Sequence, residues 1–200
     1  MSAPAPSPPA PGRKTRLGKP ARLLRLIGAF LDPRAWAHGA KLLNYYNYSH
    51  VAPLRRLERG PGCAISPNAA FSNPERIRLG ARVSLGARCT LWAGHAHGRI
   101  EIGDDVLFGP DVLVTAANYR FDDGHPVTAQ AMDEADVTIG ADAWLGAKVT
   151  VLPGARIGAG AIIGAGAVVR GEIPAMAIAV GLPARVVGRR ETPGPADPGE

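Results

Sequence analysis

Val137 to Arg170 reads VTIGADAWLGAKVTVLPGARIGAGAIIGAGAVVR, and its apolar residues recur at every sixth position. Ile139, Leu145, Val151, Ile157, Ile163 and Val169 form one series, and Val137, Ala143, Val149, Ala155, Ala161 and Ala167 form a second, two residues upstream. A period of six is neither helical nor the alternation of an isolated strand. It specifies a hexapeptide solenoid, in which three six-residue faces close one triangular coil and coils stack at the strand spacing of roughly 4.8 Å. The large aliphatic of each hexad fills the interior, and the smaller residue two places earlier points inward beside it. Gly140, Gly146, Gly158 and Gly164 follow the aliphatics, where a turning chain needs either permissive dihedrals or the absence of a side chain.

Upstream, the same spacing places hexads at Ile65 and Phe71, at Leu79, Leu85 and Leu91, and at Ile102, Phe108 and Val114. With the six of the decisive stretch this makes fourteen hexads, or nearly five coils. The register slips at Asn73-Pro74, carries an excess around Ala93 to Gly98, and breaks from Thr115 to Asp136. Excursions from a solenoid gather on one edge and commonly carry the function, so the last two define the expected working edge. Cys63 and Cys89 sit at or near inward positions as small hydrophobes, and no disulfide framework is implied.

The net charge of +6 conceals an asymmetry. Residues 1–60 hold 11 of the 23 Lys and Arg and 2 of the 17 Asp and Glu, a balance of +9, whereas the remainder stands at −3. The positive charge belongs to an arm and not to the solenoid, which argues against nucleic acid as the partner. Residues 1–20, rich in Pro, Ala and basic residues, are expected to be disordered, as is the Pro/Gly tail over 191–200. Residues 21–60 read as a basic helical arm. Leu23, Leu24, Leu26, Ile27, Phe30 and Leu31 follow helical spacing up to Asp32-Pro33, and a second stretch runs from about Arg34 to Tyr48. The expected role is to cap the first coil, and the alternative is a membrane-surface helix drawn to anionic lipid. No segment reads as a bilayer span or a secretory signal, so the expected compartment is the cytoplasm.

Within the solenoid domain, residues 61–190, several segments are more specific than the repeat. They are Ile102-Gly103-Asp104-Asp105-Val106-Leu107-Phe108-Gly109-Pro110, Trp144-Leu145-Gly146, Val151-Leu152-Pro153-Gly154, Ile163-Gly164-Ala165-Gly166 and Gly181-Leu182-Pro183-Ala184-Arg185. In that order they resemble the left-handed parallel β-helix acyltransferases, in particular the sugar O-acetyltransferase branch. The resemblance implies an all-β solenoid domain, a homotrimer, acetyl-CoA lying between two subunits, and a sugar or glycoconjugate acceptor beside an inserted loop. It implies Trp144, Ala147, Ala165, Arg170 and Arg185 as cofactor-binding positions, with no metal. Ala147 stands where a hydroxyl residue is frequent, and Arg170-Gly171 where a Thr-Lys pair is common.

In that family a histidine takes the proton of the acceptor hydroxyl, which then attacks the thioester while a backbone amide stabilises the oxyanion. The matching position is Tyr119, within Ala117-Asn118-Tyr119. A free tyrosine, with a pKa of about 10, is a poor base at neutral pH. The expected catalytic group is therefore Tyr119 and Asn118 in the acceptor pocket, with His97 of the neighbouring insertion taking or sharing the proton; His95 and His125 are the other loop histidines. The leading function is CoA-dependent O-acylation of a sugar hydroxyl in a surface-polysaccharide or glycoconjugate precursor. A catalytically silent trimer that binds CoA or a partner is the alternative that Tyr119 raises. A metal enzyme resembling the γ-class carbonic anhydrases would need three histidines, but the ligand spacing does not match.

Overall fold

The computed structural model describes residues 18–191; the disorder expected of the tails falls on residues that lie almost wholly outside this range. The chain divides into two compact units, one up to Leu43 and one from Asn44. In the first, α1 spans Lys19–Leu31 and α2 begins at Pro33 and runs to Tyr46. The α1 helix thus starts two residues before the sequence-based boundary of the arm. Between them Asp32 accepts the backbone N–H of Arg34 on its carboxylate (2.8 Å), capping α2. The Trp36 indole N–H donates to the Phe30 carbonyl at 2.8 Å.

The second unit is the solenoid. Its first coil is β1 (Glu58–Arg59), β2 (Ala64–Ile65) and β3 (Ala70–Ser72), and its second β4 (Ile77–Leu79), β5 (Ser84–Leu85) and β6 (Thr90–Trp92). The third is β7 (Ile100–Ile102), β8 (Leu107–Phe108) and β9 (Leu113–Thr115), after which β10 (Ala117–Tyr119) and β11 (Met132–Glu134) form an antiparallel hairpin outside the stack. Coils then resume with β12 (Val137–Ile139), β13 (Trp144–Leu145) and β14 (Thr150–Val151), followed by β15 (Arg156–Ile157), β16 (Ile162–Ile163) and β17 (Val168–Val169). The stack ends with β18 (Glu172–Ile173), β19 (Ala177–Val180) and the closing β20 (Arg185–Arg189).

Parallel pairing sorts these into a six-stranded first face, a seven-stranded second face ended by the antiparallel β20, and a five-stranded third face. The result is a left-handed parallel β-helix of nearly six coils. The count of fourteen hexads was short at both ends. Arg59 pairs with Leu79 and so stands in a large-aliphatic slot, while Ile173 follows Val169 after four residues and not six. Interior side chains such as Val83, Leu91, Val112, Leu145, Val149 and Ile163 are fully buried. Cys89 is among them, and burial pushes its thiol pKa up, as expected of an inert core thiol.

The corners decide between the two expected uses of glycine. Gly140 and Gly146 do not have positive φ; the left-handed residue lies two places further on, at Asp142 and Lys148, and at Arg82, Arg88, Asp105 and Asp111 in earlier coils. Arg82 and Arg88 form two-pronged pairs with Asp105 and Asp111 on the coil above (2.6–2.7 Å). Glycine is required for space: a Cβ on Gly146 would lie 2.7 Å from the Ala165 nitrogen of the next coil. The first coil is covered by Asn47–Val51 and Ala52–Leu54, where Ser49, His50 and Pro53 are buried. The His50 ring nitrogen Nδ1 bonds the Ala69 carbonyl at 2.7 Å.

Candidate functional site

The three insertions into the six-residue register leave the prism at one edge, between the third and first faces: Asn73–Arg76 after β3, Ala93–Arg99 after β6, and Ala116–Asp136 after β9. The two longer ones are tied together by Glu134. Its side chain, 2% exposed, accepts the backbone N–H groups of Ala96 (2.8 Å), His97 (2.6 Å) and Gly98 (2.7 Å). Burial raises the carboxyl pKa, but the three N–H donors and the neighbouring His97 outweigh it and hold the group at about 2. Gly94 and Gly98 make this approach feasible, because a Cβ on Gly94 would fall on the Glu134 carboxylate and one on Gly98 would meet the Ala116 carbonyl at 2.6 Å.

Beside this clamp opens a cleft of about 430 Å³ lined by Asn118, Tyr119, Phe121, Asp133, Leu152, Pro153 and Arg170. The β10–β11 hairpin presents Asn118 and Tyr119 opposite Asp133 and Met132, and an Arg120–Asp133 ion pair (2.7 Å) braces it. Tyr119 is half exposed and Phe121 largely exposed. His97 is not among the cleft-lining residues. Its exposed ring has Nδ1 3.4 Å from Glu134 Oε2 and Nε2 3.3 Å from the Glu134 carbonyl oxygen, so both nitrogens face acceptors. A neutral imidazole can donate from only one of them. His125, in the loop between β10 and β11, directs Nδ1 at the Asp123 carboxylate (3.2 Å). A second hollow of about 490 Å³, lined by Tyr45, Tyr48, Arg56 and Phe71 among others, holds none of the predicted site residues.

The remaining predicted residues occupy a different edge, between the second and third faces. Ala147 and Ala165 sit in equivalent corners of adjacent coils, and among the described residues neither N–H has a backbone partner. Trp144 projects half exposed from the second face just before that edge. Arg185 opens β20 opposite Val180 at the end of the same face. Arg170, grouped with these by sequence, instead lies in the Tyr119 cleft. The structure thus brings Asn118, Tyr119 and Arg170 together on one edge and Trp144, Ala147, Ala165 and Arg185 on another. Sequence reasoning missed Glu134, Asp133 and Phe121, and it quoted Leu152-Pro153 as part of a motif without placing the pair in the cleft. The only signal for Glu134 was an acidic pair just ahead of the resumed repeat.

Residues 136–171 match the family described as bacterial transferase hexapeptide (six repeats). Nodulation protein L of Rhizobium meliloti is 36% identical over 131 residues, covering 66% of this chain and 69% of that protein. The chain belongs to the hexapeptide-repeat acyltransferase family. A Mycobacterium tuberculosis protein named "probable acetyltransferase" is 36% identical over 173 residues, 85% of this chain, and the chain spans 56% of the length of that relative. Galactoside O-acetyltransferase of Escherichia coli is 28% identical over 169 residues, covering 78% of this chain and 79% of that protein. A galactoside acetyltransferase solved in complex with coenzyme A superposes with a TM-score of 0.65 at 26% identity, over 78% of this chain and 80% of its own. Membership in the hexapeptide-repeat acyltransferases matches the motifs that carried the resemblance, and it covers the coils bearing both edges.

Proposed function

We propose that this hexapeptide-repeat protein is a CoA-dependent O-acyltransferase, transferring acetyl to a sugar hydroxyl of a surface-polysaccharide or glycoconjugate precursor, and that it works as a cytoplasmic homotrimer. The observation that carries the reading is the distribution of candidate residues over two edges of one prism, a face apart. A thioester donor along the Ala147–Ala165 edge and an acceptor in the Tyr119 cleft cannot meet within one chain, whereas they can where the edges of two copies adjoin. The exteriors of the faces support such packing. The first face presents Glu58, Arg78, Glu101, Arg156 and Glu172 to solvent, while the second carries Leu107, Trp144, Ile162 and Ile178 and the third Leu113 and Val168.

In the proposed reaction the unpartnered amides at Ala147 and Ala165 receive the narrow pantetheine arm, Trp144 walls it, and Arg185 pairs with a phosphate. Asn118 and Tyr119 hold the acceptor hydroxyl. Its oxygen bonds to the acyl carbon, the carbon–sulfur bond breaks, and the hydroxyl proton passes through a base to the departing thiolate, leaving free CoA. His97 serves as that base only after its ring turns from Glu134. Contacts of 3.3 and 3.4 Å on an exposed ring are weak enough to yield. Arg170 is assigned to the acceptor side of the site, since its neighbours there are Tyr119 and Asn118.

Tyr119 and the engaged His97 ring also favour a second reading, a trimer that binds CoA without turning it over. Thiol release from acetyl-CoA against a panel of nucleotide sugars and free glycosides, run beside thermal shift with CoA, separates the two. Release with an acceptor supports the transferase. A thermal shift without release supports the silent trimer, and neither response refutes both.

A further inference from the structure

We infer that the two N-terminal helices form a docking surface for an anionic lipid bilayer, on which the protein lies peripherally. None of the residues of α1 or α2 is buried. On α1 the side chains of Leu23, Leu24, Ile27, Phe30 and Leu31 fall within one face and are 47% to 77% exposed; on α2 Trp36 and Leu43 are 62% and 74% exposed. Apolar area of this extent, contiguous along a helix, marks a surface that something covers. The opposite faces carry Arg22 and Arg25 on α1 and Arg34 and Lys41 on α2. The one acidic residue between Lys19 and Tyr46 is Asp32, whose carboxylate is engaged at the start of α2.

The charge selects the occupant. A second copy of the arm would bring like-charged helices together, whereas an anionic headgroup layer complements the basic faces while its acyl boundary takes the leucines and aromatics. No described helix is long and apolar enough to cross a bilayer, so the geometry is interfacial. The edge between the two helices is fixed by the Phe30–Trp36 contact, with ring centroids 5.9 Å apart, which keeps an aromatic pair at the bend where interfacial side chains are favoured.

The test is sedimentation of the full chain with sucrose-loaded vesicles of phosphatidylcholine alone or with about 30% phosphatidylserine, a charge density at which each surface-bound Lys or Arg contributes a few-fold. Binding to the anionic vesicles alone, lost at about 0.5 M salt, is expected. Ile27→Glu/Phe30→Glu and Arg22→Glu/Arg25→Glu should each lower partitioning at least about tenfold, with circular dichroism and sedimentation mass unchanged. Equal, weak binding to both vesicles overturns the proposal. So does anionic binding that Ile27→Glu/Phe30→Glu leaves intact, which would reduce the effect to non-specific charge. A change in sedimentation mass with Ile27→Glu/Phe30→Glu would likewise overturn it, by assigning the apolar faces to another copy of the chain.

Discussion

Replacing Glu134 by glutamine should release the first insertion loop from the second without unfolding the solenoid. The amide oxygen can take the place of Oε2 and keep the N–H bonds of His97 and Gly98, now 2.6 and 2.7 Å long, but the amide nitrogen then faces the Ala96 N–H, donor to donor. Ala96 is exposed, so water compensates part of that loss. The two surviving bonds lose their charge, which roughly halves their strength. Together these cost about 2–3 kcal/mol, equivalent to a 30- to 150-fold rise in local opening. Hydrogen exchange reads this directly: the amides of Ala96, His97 and Gly98 should exchange faster by about that factor. The Gly146 amide, bonded to the Ile163 carbonyl within the stack, should not change. Because the folded pKa of about 2 lies below the ordinary 4.5, the ionised clamp contributes fully above about pH 4.5 and its contribution fades as pH falls toward 2. Wild-type loop protection should follow that course and the glutamine variant should not. Unchanged exchange at Ala96 to Gly98 would refute the clamp, and equal acceleration at Gly146 would refute its local character.

Arg185→Ala should weaken thermal stabilisation by CoA by about 1–3 kcal/mol if the guanidinium pairs with a phosphate, while leaving the unliganded melting point within a degree or so. Gly146→Ala places a methyl group 2.7 Å from the Ala165 backbone nitrogen, so it should cost about 1–3 kcal/mol and lower the melting temperature by roughly 2–12 °C in a thermal scan. His97→Ala should cut acetyl transfer at least about tenfold with CoA affinity retained, whereas Tyr119→His should raise turnover if the cleft still accepts the usual base. A loss with His125→Ala and none with His97→Ala would move the proton to the Asp123–His125 pair. Sedimentation equilibrium at micromolar concentration should give a trimer, and Trp144→Glu on the second face should weaken it.

Much of the fold is legible because an interior position must be filled at each rung, so the six-residue period records the stack itself. The ends are less legible for the same reason. At Arg59 an end strand has no further strand beside it to demand an aliphatic, and the four-residue step to Ile173 removes the spacing that identifies a hexad. The two edges were also within reach. Trp144 pairs with Ile162, three hexads and one full coil away, so Ala147 and Ala165 must share an edge, and Arg170, directly following a third-face strand, must lie on the other. Glu134 could not be found this way, because its value comes from where the hairpin returns relative to Ala96, His97 and Gly98, a tertiary relation with no period. The base is the hardest part. Register fixes where a backbone position sits, but proton acceptance depends on what each ring nitrogen faces. Both nitrogens of His97 face Glu134, and the position that the resemblance assigns to the family's histidine holds Tyr119. In the proposed reaction, proton transfer therefore turns on whether one exposed ring can leave a carbonyl contact of 3.3 Å, and mutation of that ring measures it.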